Sequence, residues 1–352
     1  MNKLKSLNVF KRINFKAENH FALKVLALVA ALVILFFLSF KIGRFDVSAK
    51  TIIDIFASNF LNIEQYWEDN FAIAVQEIRF PRIMLAILVG GALSVSGASY
   101  QTLFKNPMVS PDILGVSAGA GFGAALAMIN QANWVGIQLS ALIFGLIAVA
   151  IAFLISQVFG GRSFTVLILG GIVVGSFFSA LLSIIKVVAD TENELPAITF
   201  WLMGSLSRGK IDDVLVMLPA LAISLSALFL FRHHINALSA GEDVAQTMGV
   251  NVSLVKIIIV ASSTLMTVAS VAIAGIIGWI GLVIPHFARM LVGASYSKII
   301  VVSFLLGGFF LLVIDNVIRG VPEVNIPLGT LTALIGTPVF VLLLSRLKRG
   351  WN

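Results

Sequence analysis

Long apolar runs separated by short polar segments fill this chain. A membrane-spanning helix needs about 20 mostly apolar residues, and the runs are long enough for ten such helices. They predict an all-α, polytopic transmembrane bundle in a single domain, 23–347, between an N-terminal segment, 1–22, and a short tail, 348–352. The predicted spans cover residues 23–42, 80–104, 113–130, 135–158, 164–188, 211–231, 253–273, 275–294, 299–318 and 328–347.

Three parts of this assignment are open. The third predicted span, 113–130, is short and rich in glycine and alanine. The stretch 253–294 is nearly continuous, and the sequence suggests a division only at Gly275. Residues 197–210 either extend the fifth span or lie at the membrane surface.

Two of the polar segments between spans have the features of folded elements. Residues 43–78 are the longest segment and should contain a short surface helix. Residues 235–252 predict a second helix. Ser239 can cap its start with Glu242 three residues later, as in a capping box, and Gly249 can end it. An apolar strip on this helix offers a surface to something outside the membrane, and it consists of Leu238, Val244, Ala245 and Met248.

The composition excludes an ordinary soluble protein. Of the 352 residues, 59% are hydrophobic and 12% are charged, with a mean hydropathy of +1.03, whereas soluble domains carry about 25% charged residues. The chain has no cysteine. Disulfides, thiolate metal sites and cysteine catalysis are therefore excluded.

The basic residues indicate an orientation. The net charge is +7, but the lysines and arginines cluster at the termini and between apolar runs, which favours contact with membrane lipid over nucleic-acid binding. With ten spans and both termini in the cytoplasm, most basic residues lie inside and most acids outside, as the positive-inside rule requires. The segment 235–252 then faces the cytoplasm.

Motifs for nucleotide, metal or catalytic chemistry are incomplete. Residues 204–210 have the spacing of a phosphate-binding loop, but Ile211 stands where Ser or Thr should ligate Mg²⁺, and no strand precedes it. None of the four histidines has a second ligand at metal-site spacing. Gly115, Gly119 and Gly123, one turn apart, indicate close helix packing.

Charged residues are rare inside the predicted spans. Lys186, Asp315 and Arg319 lie near span ends, so the chain lacks the commonest sign of an ion-coupled carrier. If the protein moves a solute uphill, we expect the energy to come from a partner that grips 235–252. Ion-coupled secondary transport stays open, because carbonyl and hydroxyl groups can hold Na⁺, and so does a membrane enzyme.

Two short motifs flank the second predicted span. At its outer start, Arg79 and Arg82 can snorkel to lipid headgroups or form a cationic rim for an acidic docking protein. At its inner end, Asn106, Pro107 and Pro111 break the helix and can fix a tight turn before a short glycine-rich helix.

From about residue 76 to 346 these motifs, in this order, resemble the permease subunits of binding-protein-dependent ABC importers for iron–siderophore complexes, haem and vitamin B12. Arg79, Pro81 and Arg82 are similar to the family's Arg-x-Pro-Arg. Many ordered matches together are specific, although each alone is weak. The other matching positions are Gly91, Ser96, Gly97, Gln101, Asn106, Pro107, Pro111, Leu114, Gly115, Ser117, Trp201, Gly204, Ser205, Leu206, Gly241, Glu242, Asp243, Gly281, Leu282, Pro285, His286, Arg289, Gly293, Pro327, Gly329, Thr332, Ala333, Gly336 and Pro338.

The resemblance implies a homodimer in a bacterial inner membrane that works by alternating access. Its implied partners are two cytoplasmic ATPase subunits, which bind ATP and Mg²⁺, and a periplasmic solute-binding protein. No cofactor, metal or catalytic residue is implied in this chain. The implied docking residues are Arg79, Arg82 and Arg319. The implied ATPase-coupling residues are Leu238, Gly241, Glu242, Asp243, Ala245 and Met248.

The substrate is left open by the resemblance. An iron chelate is the first expectation, followed by haem and cobalamin. The run 106–112 also occurs in relatives that handle molybdate or tungstate, which keeps an oxyanion among the alternatives.

Overall fold

The computed structural model describes residues 2–43, 46–160, 164–321 and 326–347, with side chains for 20–43, 46–159, 165–321 and 326–343. All regular secondary structure in these ranges is helical. The predicted tail, 348–352, lies outside them. The helices are α1 (Asn2–Ser39), α2 (Ala49–Ala57), α3 (Asp69–Ala72), α4 (Phe80–Leu103), α5 (Val116–Ile129), α6 (Trp134–Gly160), α7 (Phe164–Val188), α8 (Glu194–Leu202), α9 (Ile211–Leu230), α10 (Arg232–Ala240), α11 (Glu242–Thr247), α12 (Val252–Ala274), α13 (Ile280–Val292), α14 (Tyr296–Gly320) and α15 (Leu328–Leu347), with a π-helical turn (Ile73–Arg79) before α4 and a 3-10 turn (Pro111–Leu114) before α5.

The all-helical transmembrane fold is confirmed, and each predicted span corresponds to one apolar helix. Within the described ranges, seven helices are long and apolar enough to cross a membrane. The remaining three predicted spans correspond to the shorter apolar helices α5, α13 and α15. The first span is continuous with the segment expected to precede it, because α1 begins at Asn2. The surface helix predicted within 43–78 is α2.

The open boundaries are resolved by backbone conformation. The helix α13 begins at Ile280 rather than at 275, because Gly275 has a φ of +69° and Trp279 a φ of 72°. Both angles are incompatible with a continuous right-handed helix. Residues 194–202 form the separate short helix α8. The helix α5 has 14 residues, about 21 Å at 1.5 Å per residue, which is shorter than the hydrocarbon core of a bilayer.

The helix α4 is the centre of the bundle. Together with α3 and the π-helical turn it forms an apolar stretch of 35 residues, and 89% of the most apolar 18-residue part of this stretch is buried. It packs against α9, α12, α13 and α14. Glycines permit this close approach: a Cβ on Gly97 would lie 1.8 Å from the carbonyl oxygen of Gly281, and a Cβ on Gly90 2.3 Å from that of Gly307. Small residues at such crossings are typical of packed membrane helices.

The helices α5, α6 and α7 pack together beside this centre. Here a Cβ on Gly119 would lie 2.6 Å from the carbonyl oxygen of Phe144, and one on Gly123 2.4 Å from that of Ser140. Gly115 has a φ of +79° where the chain turns into α5. The outermost helices contrast with this packing. In the most apolar 18-residue part of α1 no residue is buried, and in that part of α7 only 28% is buried.

Candidate functional site

The outer end of the bundle contains three arginines, two of which pair with one buried carboxylate. The Nε atom of Arg82, at the start of α4, lies 2.8 Å from one oxygen of Asp315, and the Nε atom of Arg319 lies 2.9 Å from the other. Asp315 and Arg319 are one turn apart on α14, and Asp315 is fully buried. A buried carboxylate between two guanidiniums is an arrangement in which removal of one partner is costly.

The same cluster holds the end of α1. Arg319 donates hydrogen bonds from Nη1 to the carbonyl oxygens of Ser39, at 2.9 Å, and Ile42, at 3.1 Å. The side-chain amide of Asn316 donates to the hydroxyl of Ser39 at 2.7 Å. Arg79 donates to the carbonyl oxygen of Phe40. We call Arg79, Arg82, Asp315 and Arg319 the outer arginine cluster, and it joins α1, α4 and α14.

These contacts change the picture of the predicted docking residues. Arg79 is 4% exposed, and the side chains of Arg82 and Arg319 are 15% and 7% exposed. Their guanidiniums therefore neither snorkel freely to headgroups nor form an open cationic rim in this conformation. An exposed arginine on the same outer side is Arg208, whose guanidinium lies 5.3 Å from the ring centre of Trp134.

The segment 235–252, predicted to face the cytoplasm, folds as two short helices and not as one. The helix α10 ends at Ala240, and α11 begins at Glu242 after Gly241, which has a φ of 151°. The capping box predicted from Ser239 is wrong, because Ser239 lies inside α10 and its hydroxyl donates to the carbonyl oxygen of Asn236 at 2.7 Å. Gly241 supplies the break, since its φ is one that side-chain-bearing residues rarely adopt.

The predicted end of the segment is present. Gly249 has a φ of +79°, and the N–H of Val250 donates to the carbonyl oxygen of Ala245 at 3.0 Å. A glycine in this conformation, followed by a backward hydrogen bond, is a common helix terminus.

The predicted coupling residues divide into an anchored and an exposed set. Leu238 and Ala245 are fully buried, and one oxygen of Glu242 lies 2.8 Å from the Nζ atom of Lys256 on α12. Asp243 and Met248 are exposed, as is Val244 one turn before Met248. We call Asp243, Val244 and Met248 the α11 surface. The anchored residues hold α11 against the bundle and leave this surface facing outward.

A contact that the sequence did not reveal joins α10 to α14. Asn236 accepts a hydrogen bond from the backbone N–H of Tyr296 at 2.6 Å and donates to the hydroxyl of Ser297 at 2.9 Å. These residues are about 60 positions apart, so no local pattern could have identified the pair. The helix α14 therefore contacts the cytoplasmic segment at one end and belongs to the outer arginine cluster at the other.

The turn between α4 and α5 is tied to α13. Arg289 donates to the side-chain oxygen of Gln101 at 2.5 Å, and Gln101 donates to the carbonyl oxygen of Val109 at 3.2 Å. The oxygen of Asn106 accepts from the N–H of Met108 at 2.9 Å. Pro107 lies with its carbonyl oxygen 3.1 Å from a ring nitrogen of His286. Pro111 packs against Gly281, where a Cβ would come within 2.3 Å of its ring.

Next to this turn, a groove of about 590 Å³ lies along α7. The groove is polar for a surface within a membrane bundle, and its lining includes Ser110, Asp112, Gly115, Gly175, Ser176 and Ser179. Asp112 accepts a hydrogen bond from the N–H of Ser117 at 2.7 Å. In the ranges that the structure describes, no three His, Asp or Glu side chains come together as metal ligands.

Comparison with known proteins finds similar chains among transport permeases. The model of the FecCD transport family matches residues 31–346. The chain is similar to the molybdate import system permease of Haemophilus influenzae, with 37% identity over 325 residues, 92% of this chain and 95% of that protein. It is also 37% identical over 293 residues to a Helicobacter pylori protein named as an iron chelatin transport system permease, covering 82% and 89% of the two chains.

Further relatives differ in the substrates that their names state. The cobalamin import system permease of Halobacterium salinarum is 37% identical over 273 residues, 77% of this chain and 73% of that one. Among solved structures, an inward-facing ABC transporter described as of metal-chelate type has a TM-score of 0.81 and 35% identity, covering 92% of this chain and 98% of its own.

Proposed function

Because the chain belongs to the FecCD transport family and is a permease subunit of an ABC transporter, we propose that it carries an iron–siderophore complex inward across a bacterial inner membrane. The chain is a permease and not an enzyme. In this proposal ATP is hydrolysed by two separate cytoplasmic subunits, which bind ATP and Mg²⁺, and a periplasmic protein delivers the solute.

The observation that carries the ATP-driven part of this proposal is the exposure of the α11 surface. A cytoplasmic helix with two exposed apolar side chains, Val244 at 45% and Met248 at 67% exposure, lies between membrane helices and is held from behind by buried residues. Exposed apolar side chains beside a charged one are typical of an interaction surface. We assign this surface to the ATPase subunit. Leu238, Gly241, Glu242 and Ala245 then fix its position, while Asp243 and Met248 make contact.

Movement at the α11 surface has two routes into the membrane. The ion pair between Glu242 and Lys256 joins α11 to α12, and Asn236 joins α10 to α14. We propose that closure of the ATPase subunits moves α10 and α11 together and that α12 and α14 follow. The solute path would then open on one side and close on the other.

The solute path is proposed to run along the exposed face of α7 between two copies of the chain. This face combines the groove at Ser176 and Ser179 with exposed apolar residues such as Ile172 and Phe177. A homodimer would cover these residues and enclose the groove. The small and hydroxylated lining suits a bulky neutral chelate, which must bind weakly enough to leave.

Docking of the periplasmic protein is proposed at Arg79, Arg82 and Arg319 on the outer end. Since Arg82 pairs with Asp315 through Nε and its side chain is 15% exposed, we propose that its terminal guanidinium nitrogens receive a carboxylate of the binding protein while the ion pair with Asp315 stays in place. The matched test compares Arg82→Gln with Arg208→Gln in retention of the binding protein at low and high salt. The proposal expects salt-dependent loss with Arg82→Gln. Loss with Arg208→Gln alone would assign docking to the exposed arginine.

An oxyanion such as molybdate is the second candidate substrate. It is favoured by the 95% coverage of the Haemophilus influenzae molybdate permease at 37% identity. Against it, the carboxylate of Asp112 lines the groove and would repel an anion.

Uptake into proteoliposomes containing the complete transporter tests both the energy source and the substrate. The proposal expects accumulation of a radiolabelled ferric siderophore when ATP is inside and the binding protein is outside. Molybdate should compete little with this uptake, and no siderophore should accumulate without ATP. Uptake that survives without ATP and collapses with the ion gradient would instead establish a secondary transporter. Uptake of molybdate in place of iron would overturn the substrate assignment alone.

A further inference from the structure

A groove of about 450 Å³ lies on the lipid-facing side of the bundle between α1, α9 and α14. Its walls are almost entirely apolar, with one hydroxyl, that of Ser226. The walls include Val25 and Val29 of α1, Leu225 and Phe229 of α9, and Val301 and Phe304 of α14. The size is within the range of binding pockets for small apolar ligands.

Three basic residues lie near the cytoplasmic end of this groove: Lys24 on α1, Lys298 on α14, and Arg232, the first residue of α10 after α9. Lys24 directly precedes Val25, Lys298 lies three residues before Val301, and Arg232 lies three residues after Phe229. At 1.5 Å per residue, Lys24 and Lys298 lie within about 5 Å of the groove along their helix axes, and Arg232 contacts the groove residue Phe229 directly. The chain directions agree, because α1 and α14 start in the cytoplasm and α9 ends there.

The basic side chains are positioned by contacts that do not neutralise their charge. Lys24 donates to the carbonyl oxygen of Leu291 at 2.6 Å. The guanidinium of Arg232 lies 4.1 Å from the ring centre of Phe229, a groove residue, and donates to its carbonyl oxygen at 2.7 Å. The Nζ atom of Lys298 lies 5.3 Å from the ring centre of Phe21. Each partner is a carbonyl group or an aromatic ring, so the positive charge is retained.

We propose that this groove binds one anionic phospholipid of the cytoplasmic leaflet. One acyl chain lies against the apolar walls, and the phosphate lies near Lys24, Arg232 and Lys298. The apolar groove alone would accept any lipid. The basic residues at its cytoplasmic end select a negatively charged headgroup, because lysine and arginine near the membrane surface attract anionic lipids.

The proposed lipid would bridge helices that belong to different parts of the transport machinery. Bound between α1, α9 and α14, the lipid would contact α1 and α14 together and so stabilise their packing. The helix α14 also contacts Asn236 of the cytoplasmic segment. Anionic lipid should therefore stabilise the packing of α1 as well as fill the groove.

Binding of spin-labelled phosphatidylglycerol and phosphatidylcholine to the full transporter, in nanodiscs of phosphatidylcholine, tests the proposal. The wild type should immobilise phosphatidylglycerol in preference. Arg232→Gln combined with Lys298→Gln should lower that preference by about fivefold for each charge removed. The matched control is Lys50→Gln on the outer surface, since Lys50 makes a similar contact, 5.6 Å from the ring centre of Tyr66. It should leave the preference unchanged.

A second variant blocks the groove and leaves the charges in place. Ser226 is exposed towards the lipid on α9, so Ser226→Phe should fill the groove without disturbing the core and should reduce immobilised phosphatidylglycerol. Ala150→Phe, at an exposed position on α6 outside the groove, is its control. Equal immobilisation of the two lipids by the wild type would overturn the proposal, as would unchanged preference in both test variants or displacement of the lipid by inorganic phosphate alone. A change in oligomeric mass with Ser226→Phe would show that a second copy covers this face.

Discussion

The two ends of α14 are held in opposite ways. At the outer end, Asp315 and Arg319 are buried in an ionic cluster that also takes in Arg82 and the last residues of α1. At the cytoplasmic end, Asn236 accepts a hydrogen bond from the N–H of Tyr296 and donates one to the hydroxyl of Ser297, and it lies in a two-part segment with one exposed face. The charged groups at the outer end are costly to separate, whereas the contacts of Asn236 join neutral groups and cost less to break.

The contrast between the two ends of α14 indicates where movement can enter the permease. A buried carboxylate cannot leave two guanidiniums without a large cost, so we expect the outer cluster to move as a unit. The α10–α11 segment is interrupted at Gly241 and anchored by short contacts. It can shift as a small body while α12 and α14 stay connected to it. The following changes test this contrast, in order of expected effect on stability.

Asp315→Asn should be the most destabilising of these changes. It removes the charge that compensates Arg82 and Arg319, and breaking a buried pair by deleting one partner costs about 3–5 kcal/mol. Thermal unfolding in detergent measures the loss. Glu68→Gln, which changes an exposed acid on the outer side, is the control and should have little effect. A stability like that of the wild type in Asp315→Asn would show that the cluster is not a brace.

Asn236→Leu should have an intermediate effect. It leaves the N–H of the fully buried Tyr296 without its acceptor, and an unsatisfied buried donor costs about 1–3 kcal/mol. Asn236→Asp keeps an acceptor for this N–H and can accept from the hydroxyl of Ser297 in place of donating to it, so it should recover part of the stability. The same unfolding measurement separates the two variants, and an equal loss in both would indicate that the Tyr296 contact is not the important one.

Glu242→Gln should change stability by less than about 1 kcal/mol. Its ion pair with Lys256 is partly open to water, since the side chain of Glu242 is 36% exposed, and such pairs contribute little. The small difference from the wild type should shrink further as salt is added. A loss as large as that of Asp315→Asn would remove the contrast between the two ends.

Val244→Ser combined with Met248→Ser should leave stability within about 0.5 kcal/mol, because both side chains are exposed. The ATPase subunits should nevertheless be lost during purification. Leu254→Ser, another exposed apolar position near the cytoplasmic end of α12, is the matched control and should retain them. Loss of the ATPase with Leu254→Ser and not with the double variant would place the contact elsewhere.

Hydropathy predicted the helices well because membrane burial of a helix is a local property of 20 or so residues. Two errors came from backbone conformations that hydropathy does not report. The non-helical residues 275–279 delay the start of α13, and Gly241 divides the segment that Ser239 was expected to cap. Proline and glycine in a sequence mark such breaks, but they do not determine the residue at which the next helix begins.

The sequence could predict only those features of the site that depend on residues close together in the chain. The basic and acidic residues of the outer cluster were visible near span ends, yet Arg82 and Asp315 are 233 positions apart. Their pairing depends on how α4 packs against α14. The same holds for Asn236 and Tyr296. The resemblance to importer permeases predicted a coupling segment that includes Glu242 and Ala245. Only packing shows that these two residues hold α11 against the bundle and that Asp243, Val244 and Met248 are exposed.

ATP-driven uptake by a transporter that carries Asp243→Lys and Met248→Lys tests whether the α11 surface couples the permease to its ATPase. With unfolding and membrane insertion like those of the wild type, uptake of the labelled substrate should fall at least about tenfold, the effect of losing roughly 1.4 kcal/mol of contact. Uptake equal to the wild type with the ATPase still bound would contradict the account.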